Sequence, residues 1–361
     1  MKIFSTALRL SAAVCTVLAA AALAGCTSTG PEQPKATALS EQPYTPIDAF
    51  AQNAAMTRGV NIWANALRPD EPQRPFDPSR HFKMIHQAGF TAVRLAWRAF
   101  EYMDASNKLT PDYLARMDEY VHSALDAGLT VIVDEHDYEF CGKDVATCRV
   151  KLNAFWVQVG ERYKDMPNRV VFEMLNEPHE AMSAEVWNAQ IKDTLPIIRA
   201  SNPTRNVIIG PGNWNGIEYL SKLVLPDDPH LIVTFHYYHP MNFTHQGASW
   251  VPQYTKLGVA WGKPAEVELL NTELDSVKAW GDANKRPIFL GEFGTMDTGK
   301  MAARANWTSA VARGAEARGF SWAYWQFSNN MLVFDTDKDA WVEPILNALI
   351  PPGDKVSDVG K

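Results

Sequence analysis

RVVFEMLNE, residues 169–177, decides how the chain folds. The run is β-branched and aromatic through its body and turns polar only where it stops, at Asn176, Glu177 and the following Pro178. Apolar on both faces and polar at its end, it reads as a fully buried strand that delivers an amide and a carboxylate to one edge of a sheet. The same design recurs in RGVNIW (58–63), TAVRLAW (91–97), TVIVDEH (130–136), NVIIGP (206–211), LIVTFHYYH (231–239), PIFLGEFG (287–294) and FSWAYWQF (320–327). Between these runs lie helical patterns such as 78–89, closed by Gly89, and 110–128, opened by Thr110 and Pro111 and closed by Gly128; 302–319 ends in the same way. Strands alternating with helices predict a parallel sheet. Eight such units over this length predict a single α/β domain, a (β/α)8 TIM barrel over residues 46–351, with a doubly wound open sheet as the alternative. The stretch 240–264 reads as an extended loop after the sixth strand.

The polar residues collect at the carboxyl ends of these runs: Arg94, His136, Asn176 with Glu177, His236 with Tyr238, and Glu292. In a barrel those ends share one rim, where active sites are built. Singly, Arg94 reads equally well as a buried ion-pair partner, and His136 or His236 as a satisfied core histidine. Together they make a site. Two carboxylates on different strand ends suit hydrolysis of a glycosidic bond, in which one donates a proton and the other stays ionised. A gap of about 5–5.5 Å lets the second attack the sugar carbon, and about 6.5–9.5 Å admits a water instead.

From about residue 55 to 350 the chain resembles glycoside hydrolase family 5, the cellulase-type retaining barrels. Phe172-Glu173-Met174-Leu175-Asn176-Glu177-Pro178 is similar to the family's strand-four acid/base motif, and Leu290-Gly291-Glu292-Phe293-Gly294 to its strand-seven nucleophile motif. Val93-Arg94-Leu95, Asp134-Glu135-His136, His236-Tyr237-Tyr238 and Trp325 follow the remaining signatures in family order. The resemblance implies catalysis by Glu177 as acid/base and Glu292 as nucleophile. It implies that Arg94 and Tyr238 orient Glu292, that Asn176 meets the sugar 2-hydroxyl, and that His136 and His236 bind the cleaved sugar above a Trp325 floor. No cofactor and no metal are implied. Trp63, Trp97, Trp214, Trp250 and Trp261 are candidates for outer sugar platforms or for packing.

The other carboxylates read differently. Glu173 shares the strand parity of Glu177 four residues earlier, which puts it about 13 Å deeper in a regular strand. It is expected to be structural, paired with a buried arginine. Glu180 falls in the loop beyond Pro178 and is expected in solvent, and one of Asp134 and Glu135 is expected to face inward and orient a neighbour.

Composition bounds the rest. The 361 residues carry a net charge of −7 and no Lys/Arg block, which argues against a nucleic-acid partner. Lys2 and Arg9 precede the apolar run 11–25, too short to span a bilayer and similar to an export signal. It ends in Leu23-Ala24-Gly25-Cys26, which resembles a bacterial lipobox, so Cys26 is the expected lipid carrier and the outer membrane the expected address. A plain secretory signal is the alternative. Residues 26–45 are expected to be a disordered tether and 352–361 a tail. In an exported chain the short loop Cys141 to Cys148 favours a disulfide over two free thiols.

The partner expected is a β-linked polysaccharide or oligosaccharide, bound by a monomer. The leading activity is an endo-β-1,4-glucanase. A β-mannanase, xyloglucanase or exo-acting β-glucosidase would share the mechanism. A metal-dependent hydrolase would need a His-x-His at a strand end, and a non-catalytic sugar-binding lipoprotein would lack one of the two carboxylates.

Overall fold

The structure, a computed structural model, describes residues 39–64 and 76–354. The export segment, Cys26, most of the tether and the end of the tail lie outside the described residues. Eight parallel strands close into one barrel in sequence order: β1 (Arg58–Trp63), β2 (Ala92–Trp97), β3 (Thr130–Glu135), β4 (Val170–Glu173), β5 (Val207–Ile209), β6 (Leu231–His236), β7 (Ile288–Glu292) and β8 (Ser321–Tyr324). The barrel reading, not the open sheet, is correct. β1 pairs with both β2 and β8, which completes the ring.

The helical signals acted as read. Pro78–Gln87 starts on Asp77, whose side chain accepts from the Ser79 and Arg80 amides, and Pro111–Asp126 starts on Thr110, which accepts from Tyr113. The interior is filled by one inward layer from seven strands, Ala92, Ile132, Val171, Ile208, Ile232, Phe289 and Ala323. The helix Ala49–Met56 caps the amino-terminal mouth: Ala49 and Met56 join that layer, and Asn53 donates to the Ile288 carbonyl and accepts from Ser321. With that end plugged, the opposite rim is left for a site.

Three details differ from the sequence reading. Residues 39–45, read as tether, lie against the barrel: Ser40 N donates to Asp126, and the Tyr44 ring stacks on the Arg205 guanidinium. The 240–264 stretch contains a helical turn, Met241–Thr244, and a 3-10 turn, Pro252–Tyr254. β4 ends at Glu173, four residues short of Glu177. Cys141 and Cys148 are bonded, tying the helix Tyr138–Lys143 to the start of the helix Val145–Tyr163.

Arg205 pins the lead-in to β4. Its guanidinium is buried and donates to the carbonyls of Tyr163, Met166, Pro167 and Val170, all within 2.9 Å, while its Nε donates to Asn202. Burial lowers its pKa to about 10, so it stays charged, solvated by main-chain oxygens instead of a carboxylate. Arg205→Met would strip those buried acceptors of donors at about 1–3 kcal/mol each before relaxation. The expected result is a melting temperature lowered by roughly 5–10 °C. An unchanged thermal unfolding curve would contradict this account.

Candidate active site

The rim is organised around Arg94, fully buried on β2. Its five N–H donors are distributed over four strands. Nε and Nη2 make a bidentate pair with Glu173 at 2.6 and 2.8 Å. Nη1 donates to Glu292 at 2.8 Å and to Asn61 Oδ1 at 2.9 Å. Nη2 also reaches Asn176 Oδ1 at 2.7 Å and Asp134 at 3.1 Å. Asn61, on β1, donates in turn to the carbonyls of Gly291, Ala323 and Tyr324, so it stitches the ends of β7 and β8 to the arginine.

Beyond Glu173 the chain leaves strand geometry, and the Asn176 amide is held by the Glu135 carbonyl at 2.8 Å. Glu177 follows with φ of 40°, a left-handed value unusual for a side chain of this size. That turn brings its carboxyl over the barrel mouth, where Oε1 meets His236 Nδ1 at 2.6 Å. The same His236 nitrogen is 3.6 Å from Glu292 Oε2, which also accepts from Tyr238 at 2.9 Å. His236 and Glu292 face each other because the β6–β7 register slips by one residue at this point. Gly291 permits it, since a Cβ there would come within 3.0 Å of His236 Nε2. Trp325, half-buried, lies parallel to the His136 ring at 5.6 Å, with Trp63 edge-on to both. His136 Nδ1 is taken by Asp134 at 2.6 Å, which leaves Nε2 for a ligand.

Four carboxyl groups thus share one cation. Burial raises the Glu177 pKa to about 8, with Arg94 opposing and Glu173 adding to the rise. Burial raises Glu292 to about 7, tempered by His236 and increased by Glu177. Asp134 is raised to about 8, again by burial first, and Glu173 is raised despite its arginine pair. His236 is driven down to about 4 by burial, so its imidazole is neutral. A single guanidinium cannot neutralise four buried carboxylates, and the group holds protons into the neutral range.

The eight residues anticipated on the rim, Arg94, His136, Asn176, Glu177, His236, Tyr238, Glu292 and Trp325, form one connected cluster. Glu173 is paired with a buried arginine, as expected, but its depth is corrected. Because β4 stops there, Glu173 and Asn176 bond the same guanidinium. Glu180 is exposed. Asp134 is the inward carboxylate, and Glu135 points away and accepts from the Asp137 amide. Among the tryptophans Trp97 and Trp261 are buried, whereas Trp214 and Trp250 are exposed at 45% and 54%. Trp214 stacks on His179, 3.5 Å between ring centres, and His179 bonds the Glu177 carbonyl. Asn61 and Asn215 are contacts the sequence reading missed, whereas Asp134 orients His136 and Arg94 as expected of the inward carboxylate. An asparagine within an apolar strand, as in RGVNIW, is the signal that would have found Asn61.

Glu177, His236 and Glu292 are the one set among the described residues able to converge on a metal ion, with a ligand atom from each within 4.8 Å of the others. The Glu292 ligand atoms are already committed. Both Glu292 oxygens are bonded, Oε1 to Arg94 and Oε2 to Tyr238, and the arginine charge beside them opposes a cation.

The sequence profile described as cellulase (glycosyl hydrolase family 5) matches residues 53–331. Endoglucanase H of Acetivibrio thermocellus is 30% identical over 316 residues, 85% of this chain; the chain spans about a third, 34%, of that relative's length. The crystal structure of endoglucanase Cel5A from the hyperthermophilic Thermotoga maritima superposes with a TM-score of 0.81 at 38% identity, covering 84% of this chain and all of that one. The cellulose synthase subunit Z of Clostridioides difficile gives a TM-score of 0.78 at 35% identity, over 82% of this chain and 99% of that one.

The raised carboxyl pKa values have a consequence for stability. Glu177 ionises in the unfolded chain near the ordinary glutamate value but in the folded protein only near 8. Between those values the folded state binds the extra proton, so stability falls as pH rises through that window. Glu177→Gln removes the penalty. Its melting temperature should match wild type near pH 4 and exceed it by several degrees at pH 9. A variant less stable than wild type at alkaline pH would refute the assignment.

Proposed function

Because the chain belongs to glycosyl hydrolase family 5, the cellulase family, we propose that it is a retaining endo-β-1,4-glucanase acting on cellulose-like or mixed-linkage β-glucans. The observation that carries the reading is the spacing of the two rim carboxylates, an oxygen of Glu177 lying within 4.8 Å of an oxygen of Glu292. Oxygens that close favour the short carboxyl separation of about 5–5.5 Å, at which the second carboxylate attacks the anomeric carbon directly.

In the first step Glu177 gives its proton to the glycosidic oxygen, the carbon–oxygen bond breaks, and a Glu292 oxygen bonds to the anomeric carbon. In the second, Glu177 as carboxylate takes a proton from water, whose oxygen displaces Glu292. Arg94 and Tyr238 hold the attacking carboxylate in place and favour its ionised form. Glu177, with fewer bonds to its carboxyl, sits higher in pKa than Glu292, the order an acid and a nucleophile require. Asn176 Oδ1 is held by Arg94, which turns its Nδ2 toward Glu177 and the sugar 2-hydroxyl. His136 and Trp325 form a sugar floor, and exposed Trp214 and Trp250 offer faces for further rings.

β-Mannan is the second reading, supported by the structure of Thermotoga maritima Cel5A in complex with mannotriose, 37% identical to this chain. The apolar run 11–25 and Cys26 support export and lipid attachment at the bacterial envelope.

Protein lacking residues 1–26 should release reducing sugar from barley β-glucan and carboxymethylcellulose, unaffected by EDTA. Glu292→Ala and Glu177→Ala should each reduce turnover by about a hundredfold or more, and near-wild-type turnover of Glu292→Ala would overturn the mechanism. The kcat/KM profile should be a narrow bell. It falls below about 7 as Glu292 gains a proton and above about 8 as Glu177 loses one. In cells, labelled palmitate should enter the wild-type chain and not Cys26→Ser; equal labelling would exclude this anchor.

A further inference from the structure

We propose that Asn215, acting through His236, holds the proton of Glu177 on the carboxyl oxygen that faces the substrate. The proposal rests on the role given to Glu177 above.

Asn215 ends the short turn Gly212–Asn215 after β5, and its side chain is completely buried. Asn213, Trp214 and Asn215 all have left-handed backbone, with φ of 56°, 63° and 54°. Such a run is costly for L-residues and is most readily accepted by asparagine. The turn drives the Asn215 amide into the barrel mouth against Gly210, where any Cβ would collide with it. There Nδ2 lies 3.3 Å from His236 Nε2, and Oδ1 has no partner among the described residues. The environment sets this orientation of the amide. It leaves only an acceptor unpaired, whereas the reversed amide would leave a buried N–H group unpaired, the rarer and costlier defect.

The consequence runs through the imidazole. A neutral histidine has one donor and one acceptor nitrogen, and burial holds His236 neutral, with its pKa near 4. With Nε2 accepting from Asn215, Nδ1 carries the hydrogen and donates it to Glu177 Oε1 at 2.6 Å. An oxygen accepting so short a bond is not where the acid's own proton resides, so that proton sits on Oε2. From there it passes to the leaving oxygen, and the resulting carboxylate keeps the same bond from Nδ1 in the second step. The tautomer therefore serves both halves of the cycle without changing. Asn215 is a positioning residue, since it reaches the reacting atoms only through His236.

Asn215→Asp, measured at a pH where the new carboxyl is ionised, tests this, because aspartate also tolerates left-handed backbone and its carboxylate can only accept. Nε2 would then carry a proton. A bare Nδ1 would draw the acid's proton onto Oε1, or an imidazolium would keep Glu177 ionised; either state impairs the acid. Long-range proton–nitrogen NMR correlation should show His236 of the wild type protonated at Nδ1 and bare at Nε2, and the variant protonated at Nε2. Kinetically, kcat/KM for cellotetraose, whose leaving group needs a proton, should fall about a hundredfold. Hydrolysis of dinitrophenyl β-cellobioside, whose leaving group needs none, should stay within about threefold. Asn215→Gly, which suits the backbone and deletes the amide, should shift both substrates in the same sense by less. An Nε2-protonated wild type, or an equal loss on both substrates in a folded variant, overturns the proposal. If wild type cleaves neither substrate, the glucanase reading itself fails, and the NMR result still decides the tautomer.

Discussion

One buried guanidinium holds the rim together. Arg94 has no solvent to share its charge, so every donor must find an acceptor, and the acceptors come from β1, β3, β4 and β7. Each partner is also a constraint on the arginine. The bidentate pair with Glu173 fixes the plane of the fork, and that plane aims Nη1 at Glu292. A lysine could not do this, since a point charge has no plane to transmit. Removing either side of such a pair leaves an uncompensated charge in a dry interior, a loss of several kcal/mol. The site and the barrel end are one object for that reason.

The same economy of charge explains how two similar glutamates can differ. Glu292 has both oxygens engaged by groups that favour its anion, Arg94 and Tyr238. Glu177, on a left-handed turn, bonds the neutral imidazole of His236 rather than the arginine. Burial raises both, and the bonds separate them. The glycines are part of this arrangement: Gly291 makes room for the imidazole, and Gly210 for the amide behind it. Side chains alone would not explain why those positions are bare.

The fold was largely legible in the sequence because buried parallel strands are written as unbroken apolar runs, and a polar residue at their ends has nowhere to go but the rim. His136, His236 and Glu292 were found by that logic, whereas Arg94 lies in the middle of β2 and reaches Glu292 through its long side chain. The logic misled at Glu173. The run 169–177 looks like one continuous strand, yet the ladder ends at Glu173, and counting depth along a strand fails once the chain has left strand geometry. The 240–264 segment is the loop expected after the sixth strand, with two short turns set in it.

The sequence alone, through apolar periodicity and the chemistry of strand ends, determined the barrel, its polar rim and the two carboxylates that belong together, because those patterns are local and repeat. Tertiary structure alone decided that Glu173, Glu292 and Asp134 all share one arginine, that Asn61 fastens β7 and β8 to it, and that Asn215 stands behind His236. These contacts join residues on different strands, brought together only when the barrel closes. A hydrogen bond depends on distances of tenths of an ångström, and no spacing along the chain encodes that.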